Sequence, residues 1–296
     1  MTNIYWPIYK NLESEIEKLT YDIYISDDQL DVYSTKISEL ILRSAVEIES
    51  LAKDLYWQNG GNKEHIKFDE DALKFLNQKW NLEQKVVIIS SPNCHQTNKI
   101  LFPFNKSEKK PNNKLTYTWN NAYQHLKHNR ANNYKFGSIK YLFDILGALF
   151  ILNIYYKDEK YDLENSKKTI DFPLNQGSIL FSIKIHKWFK YDGNFKYGKK
   201  DDFDECVYLT KYSNKTMENH RQIREKMRVK EMELTRKHPK FIEYIKTNDL
   251  RNYKGQNLMA ELLTSDEHLS FLRQIVSPED RDYIFELEAV TNKNCI

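Results

Sequence analysis

Residues 139–153 read Ile-Lys-Tyr-Leu-Phe-Asp-Ile-Leu-Gly-Ala-Leu-Phe-Ile-Leu-Asn. Ile139, Leu142, Phe143, Leu146, Leu149, Phe150 and Asn153 recur at spacings of three and four, and most residues between them are apolar too. A helix over about 136–157 therefore has no polar face to offer water and must sit at the centre of a core. Its apolar stretch, Tyr141 to Tyr156, is interrupted by Asp144 and Asn153. It falls short of the roughly 18 unbroken apolar residues of a membrane span, so a buried core helix and a protein without a membrane partner are expected.

Other helices are expected to pack around it. Leu12, Ile16 and Leu19 mark a short amphipathic helix over 9–20. Leu30, Tyr33, Ile37, Ile41, Ser44, Ile48, Leu51 and Leu55 predict a long one over about 27–57, capped by Ser26 or Asp27 and ended by Gly60-Gly61. Leu73, Leu76 and Trp80 predict a helix over 69–80. Trp119, Ala122, Tyr123 and Leu126 predict one from about 116 to Arg130, with Asn132-Asn133 as a break. The segments 85–90 and 99–104 have the composition of short strands, and 105–114, rich in Lys, Asn and Pro, reads as a loop.

The pattern changes after residue 160. Ile179, Phe181, Ile183 and Ile185 alternate with Leu180, Ser182, Lys184 and His186, the period of a strand. Asp192-Gly193 signals a tight turn, and Cys206 to Tyr212 reads as a further strand. From Thr216 to Asn248 the chain is helical and dense in charge, broken at Pro239. Three short helices, 256–264, 266–275 and 278–290, are expected to close it. The fold class is thus mainly α, a helical bundle with a small embedded antiparallel β-sheet (α+β). Residues 1–160 form the bundle with its extended insert near 85–104, and residues 161–296 form the sheet and the closing helices.

The net charge of the 296 residues is only +3, so any nucleic-acid site must come from local charge. Three separated cysteines, Cys94, Cys206 and Cys295, predict neither a disulfide framework nor a cysteine-rich zinc site. The first residues lack the basic start and apolar core of a signal peptide, so a cytoplasmic setting is expected.

The polar knot Lys127-His128-Asn129-Arg130 precedes the apolar helix. Arg130 follows Leu126 by four residues and Tyr123 by seven, so on a continuing helix it joins the inward stripe. A buried guanidinium needs an acidic partner. Glu47 borders the stripe of the long helix, with Arg43 one turn earlier, and a cluster of Arg43, Glu47 and Arg130 is expected. Such a cluster is either a structural ion network or a site for phosphate or a scissile RNA linkage. In the second reading His128 acts as acid or base, since imidazoles titrate near neutrality. Lys127 and Arg130 stabilise phosphate charge. His125 and His128 share a helix face, but Gln124 and Lys127 beside them are poor ligands, so neither metal nor cofactor is expected.

A second candidate runs from His186 to Lys200, where Lys187, Trp188, Lys190, Lys196 and Lys199 interleave cations with aromatics. That mixture suits single-stranded RNA, although an amphipathic hairpin would look the same. The helix carrying Arg221, Arg224, Arg228 and Lys230 also carries Glu218, Glu225, Glu231 and Glu233. It reads as a solvated face or a partner-binding helix.

Leu40-Ile-Leu-Arg-Ser-Ala-Val-Glu-Ile-Glu-Ser-Leu-Ala-Lys53 resembles the first long helix of HEPN domains. Trp119 to Arg130, followed by Leu142 to Leu152, resembles their later helix pair. The likeness spans about residues 27–157. It implies a bacterial abortive-infection or toxin–antitoxin protein of the antiviral-defence type: a homodimeric, metal-independent endoribonuclease with RNA as substrate and an antitoxin or other protein as partner. The active family pattern places Arg a few residues before His. Here His128 precedes Arg130, which leaves room for a non-catalytic RNA- or protein-binding sensor or adaptor on the same fold.

Overall fold

The computed structural model describes residues 3–109, 115–165, 168–169, 171–187, 201–276 and 286–294. The fold is mainly α with small sheets. It divides into a larger unit of residues 1–161, 171–211 and 289–296, and a smaller unit of residues 162–170 and 212–288. The division expected near residue 160 is therefore threaded differently. The extended segments through residue 211 return to the larger unit, and the chain's last residues do the same.

In the larger unit the helices are α1 (Tyr5–Asp22), α2 (Thr35–Gln58), α3 (Leu73–Trp80), α4 (Thr118–Asn129) and α5 (Ile139–Lys157). α5 is long and apolar enough to cross a membrane by length and composition. Here it is the core, packed by α1, α2 and α4, with Ile145 through Ile154 buried without interruption. Gly147 lets Pro103 approach it; a Cβ there would stand 3.2 Å from the proline ring.

The long helix expected from residue 27 begins at Thr35 instead. Ser34 caps it by accepting the Ile37 amide hydrogen at 3.1 Å. Residues 27–29 make one 3-10 turn, because the Asp27 carboxylate is engaged elsewhere and accepts the Thr97 amide hydrogen at 3.0 Å. The stretch between has its own task. The carbonyls of Leu30 and Val32 accept the amide hydrogens of Lys140 and Ile139, donors that the first turn of α5 cannot satisfy internally. Tyr33 is accordingly exposed rather than in the core.

The strands expected near 85–104 are β1 (Val87–Ile89) and β2 (Ile100–Leu101), antiparallel with Val87 opposite Leu101. The expected loop 105–114 contains β3 (Lys106–Lys109), paired with β4 (Leu115–Tyr117) across a bulge. In the smaller unit, β5 (Tyr161–Asn165) pairs antiparallel with β6 (Lys168–Thr169).

Residues 179–186 do not form one strand. β7 (Phe181–Ser182) pairs with β1, whereas β8 (Ile185–His186) pairs with β9 (Tyr208–Tyr212) in parallel. The sheet that holds β8 and β9 is therefore mixed, while the pairings of β1 with β2 and β7, of β3 with β4 and of β5 with β6 are antiparallel. After β7 the Ile183 amide hydrogen goes to the Leu174 carbonyl at 2.9 Å rather than to a ladder, and the residues before β7 are held by Glu13, a fully buried carboxylate on α1. Its Oε1 accepts the amide hydrogens of Ile179 at 2.9 Å and Leu180 at 3.2 Å, and the hydroxyl of Tyr9 at 2.9 Å. The Ser178 hydroxyl and the Lys10 ammonium also donate to this carboxylate. Backbone donors spent on Glu13 cannot extend a ladder, and Ile179 is left exposed.

The smaller unit contains α6 (Asn214–Lys237), α7 (Pro239–Thr247), α8 (Leu258–Leu262) and α9 (Ser265–Ile275). Its core is Met259, Leu263, Phe271 and Ile275, with Met227, Leu234 and Phe241 against them. Pro239 breaks the charged helix as its chemistry requires. Thr264 caps α9, in a reciprocal pair with Glu267. Of the helix expected over 278–290, residues 278–285 lie outside the described residues, and the rest gives a strand instead, β10 (Leu287–Thr291). Its Ala289 and Thr291 are buried where it lies beside β9. Pairing overrides the helical propensity of Leu, Glu and Ala.

Candidate nucleic-acid interface

The knot lies where α4 stops, and the stop is built from asparagines. The Asn129 backbone leaves the helical region at φ −154°, ψ 60°. Its carbonyl accepts the Asn133 side-chain amide at 3.0 Å, and its own side chain accepts from Asn132 at 3.1 Å. Arg130 therefore opens a 3-10 turn, Arg130–Asn132, instead of continuing the inward stripe.

Lys127, His128 and Arg130 are all exposed, and the expected burial of Arg130 is corrected by that geometry. The cluster of Arg43, Glu47 and Arg130 does not assemble. Arg43 is exposed and donates to the Asn11 side chain at 3.1 Å. Glu47 is half-buried; desolvation pushes its carboxyl above the usual range, and the Arg43 charge offsets that only in part.

Instead the turn after α4 folds back and builds an aromatic stack. The His125 ring lies 4.1 Å from that of Phe136, 10° from parallel. Phe136 in turn stacks on Tyr141 at 5.7 Å. The chain can close this tightly because Gly137 packs directly on Ser38 of α2, where a Cβ would collide with the serine hydroxyl.

Cations cover the rings. Lys135 Nζ sits 5.8 Å from the Phe136 centroid, Lys140 Nζ 5.1 Å from Tyr141, and Lys127 Nζ 5.3 Å from Tyr123. Such placements are attractive for each pair. Lys140 also pairs with the exposed Asp31 at 2.7 Å. Tyr134, exposed, packs against Tyr33 at 5.1 Å.

The electrostatics of this corner follow from a sequence signal that residue-by-residue reading passes over. From Lys109 to Phe143 there is no Asp or Glu, while Lys109, Lys110, Lys114, Lys127, Arg130, Lys135 and Lys140 all fall within the run. A chain close to neutral overall thus carries a one-signed segment, and the fold presents its central part on the surface. His125, Phe136 and Tyr141 were not legible as a group, because helix periodicity says nothing about how a turn folds back.

The second candidate contributes less. Lys187 is exposed, while His186 is fully buried. Trp188, Lys190, Lys196, Lys199 and the Asp192-Gly193 turn lie outside the described residues. Arg221, Arg224, Arg228 and Lys230 are exposed along α6, and Arg228 lies 4.0 Å from Glu225. A pair so exposed contributes little. Among the described residues, one group has the donors to hold a metal ion: His186, Asp202 and Cys206.

Comparison with protein-family models, with curated proteins and with solved structures gave no match.

Proposed function

We propose that this protein binds single-stranded RNA through the corner formed by the end of α4, the turn after it and the start of α5. The observation that carries the reading is the set of exposed cations Lys127, Arg130 and Lys135, from a stretch of sequence without Asp or Glu, beside the stack of His125, Phe136 and Tyr141. Cations neutralise phosphates, and flat ring faces accept unstacked bases of any identity. The resemblance to HEPN domains points the same way, toward an RNA-directed protein of a bacterial defence or toxin system.

Fluorescence anisotropy with a labelled single-stranded RNA, titrated across salt concentrations, tests it. Three phosphate contacts predict a slope of log affinity on log salt of about −2. Replacing Lys127, Arg130 and Lys135 together by Ala should weaken binding and flatten that slope toward zero. Absence of binding at low salt, or a slope unchanged by the triple replacement, overturns the proposal.

A second reading rests on His128, whose exposed imidazole stands between Lys127 and Arg130. That is an acid–base group next to cations, the requirement for metal-independent attack of a 2′-hydroxyl on its phosphate. Under this reading His128→Ala abolishes cleavage of RNA in chelator while binding persists. Intact RNA after incubation with the wild-type protein counts against it.

A further inference from the structure

We propose that His186, Asp202 and Cys206 form a binding site for a divalent transition metal, with zinc as the occupant its donors suit best. An imidazole nitrogen, a carboxylate oxygen and the cysteine sulfur lie within 4.8 Å of one another. His186 Nδ1 is 2.9 Å from Asp202 Oδ1, and Cys206 Sγ is 3.7 Å from Asp202 Oδ2. Donors bound at zinc distances in a tetrahedron stand roughly 3.3–3.7 Å apart, so a small opening of the His–Asp pair admits an ion. Three protein ligands of mixed nitrogen, oxygen and sulfur leave a fourth position for water or another ligand.

The fold builds this cluster deliberately. The parallel pairing of β8 with β9 sets His186 opposite Leu209, three residues along from Cys206. A single turn then joins the other two ligands, the Cys206 amide hydrogen being donated to the Asp202 carbonyl at 3.2 Å. The buried side chain of Asn292 pins that turn by donating to the carbonyls of Phe203 at 2.7 Å and Cys206 at 3.0 Å. The Phe203 ring meets the imidazole edge-on. Ligands held by such outer contacts are pre-organised.

Charge also fits. A thiolate and a carboxylate neutralise a divalent ion, and the lysines nearby have other engagements: Lys184 pairs with Glu205, and Lys85 Nζ donates to the Asp204 carbonyl at 2.7 Å. Without an ion the His186 imidazole and the Cys206 thiol share the Asp202 carboxylate as partner. On binding, the thiol proton leaves to solvent as the sulfur–metal bond forms.

Cobalt(II) chloride added to the full chain reports the site directly, because a thiolate–cobalt bond gives a near-ultraviolet charge-transfer band. The expected result is such a band saturating at one equivalent, displaced by zinc, and lost in Cys206→Ser. If Cys206→Ser does not fold by circular dichroism, Asp202→Asn, altered at the half-buried ligand, decides; it should weaken cobalt affinity about tenfold or more. No band with excess cobalt, a band unchanged in Cys206→Ser, or unchanged affinity in Asp202→Asn overturns the site. None of these outcomes depends on RNA binding.

Discussion

The imidazole of His125 lies flat against the ring of Phe136, 4.1 Å between centroids, and this one contact fastens the end of α4 to the start of the next helix. It makes two surfaces into one. The cations of the turn and the rings beneath them belong to a single corner because Phe136 is held between His125 and Tyr141.

Phe136→Ala removes the middle ring. Its ring is held between His125 and Tyr141, so the replacement acts by releasing those two outer rings; loss of one base stack, about 1–3 kcal/mol, should lower RNA affinity by roughly five- to a hundred-fold, with the salt slope unchanged. Anisotropy at several salt concentrations distinguishes this from loss of a cation. Phe136→Tyr should bind as the wild type does.

Asp144 gives the fold a pH signature. Burial pushes its carboxyl up to about 6, against one hydrogen bond from Thr118 at 2.6 Å. A raised carboxyl pKa means that the folded state binds the proton more tightly than the unfolded state. Stability should therefore increase as pH falls from above 6 toward about 4, where the unfolded chain also takes up the proton. The span is about 2–3 kcal/mol. Asp144→Asn should raise stability at pH 7–8 by up to that amount and remove this part of the pH dependence. Urea denaturation from pH 4 to 8 measures both.

Glu13→Ala should be among the most damaging single replacements. It removes the shared acceptor of the Tyr9 and Ser178 hydroxyls and the Ile179 and Leu180 amide hydrogens, leaving the two hydroxyls only each other and Leu180 only the Ser178 oxygen, at a cost of about 3–5 kcal/mol. Denaturant unfolding measures it. A cost below about 1 kcal/mol would mean that the carboxylate does not organise the segment before β7.

The helices were legible because their burial is periodic. Ile37, Ile41, Ile48 and Leu55, and the whole of Ile139–Asn153, announce their inner faces. What sequence could not convey was where long-range partners intervene. Asp27 looks like a helix cap until Thr97 claims it, and residues 179–186 look like one strand until Glu13 takes the amide hydrogens of Ile179 and Leu180 and the Leu174 carbonyl takes that of Ile183. Leu287–Thr291 looks helical until β9 lies alongside. The same holds for the candidate sites. Lys127, His128 and Arg130 were visible as a polar knot, but local periodicity aimed Arg130 inward, and only Asn129 and its bonds turn it to solvent. The cluster of His186, Asp202 and Cys206 has no recognisable spacing because β8–β9 pairing, not chain proximity, brings the histidine in.

Glu13 and Ser178 are 165 residues apart, and that separation sets an order of events during synthesis. At roughly 5–20 residues per second, the ribosome takes about 8 to 30 seconds to supply the groups that satisfy the carboxylate. Throughout that interval α1 can pair with its neighbours but keeps a charge that must stay wet. Sealing this side of the core therefore waits for the segment around Ser178, so α1, made well before that segment, is among the last helices to be locked.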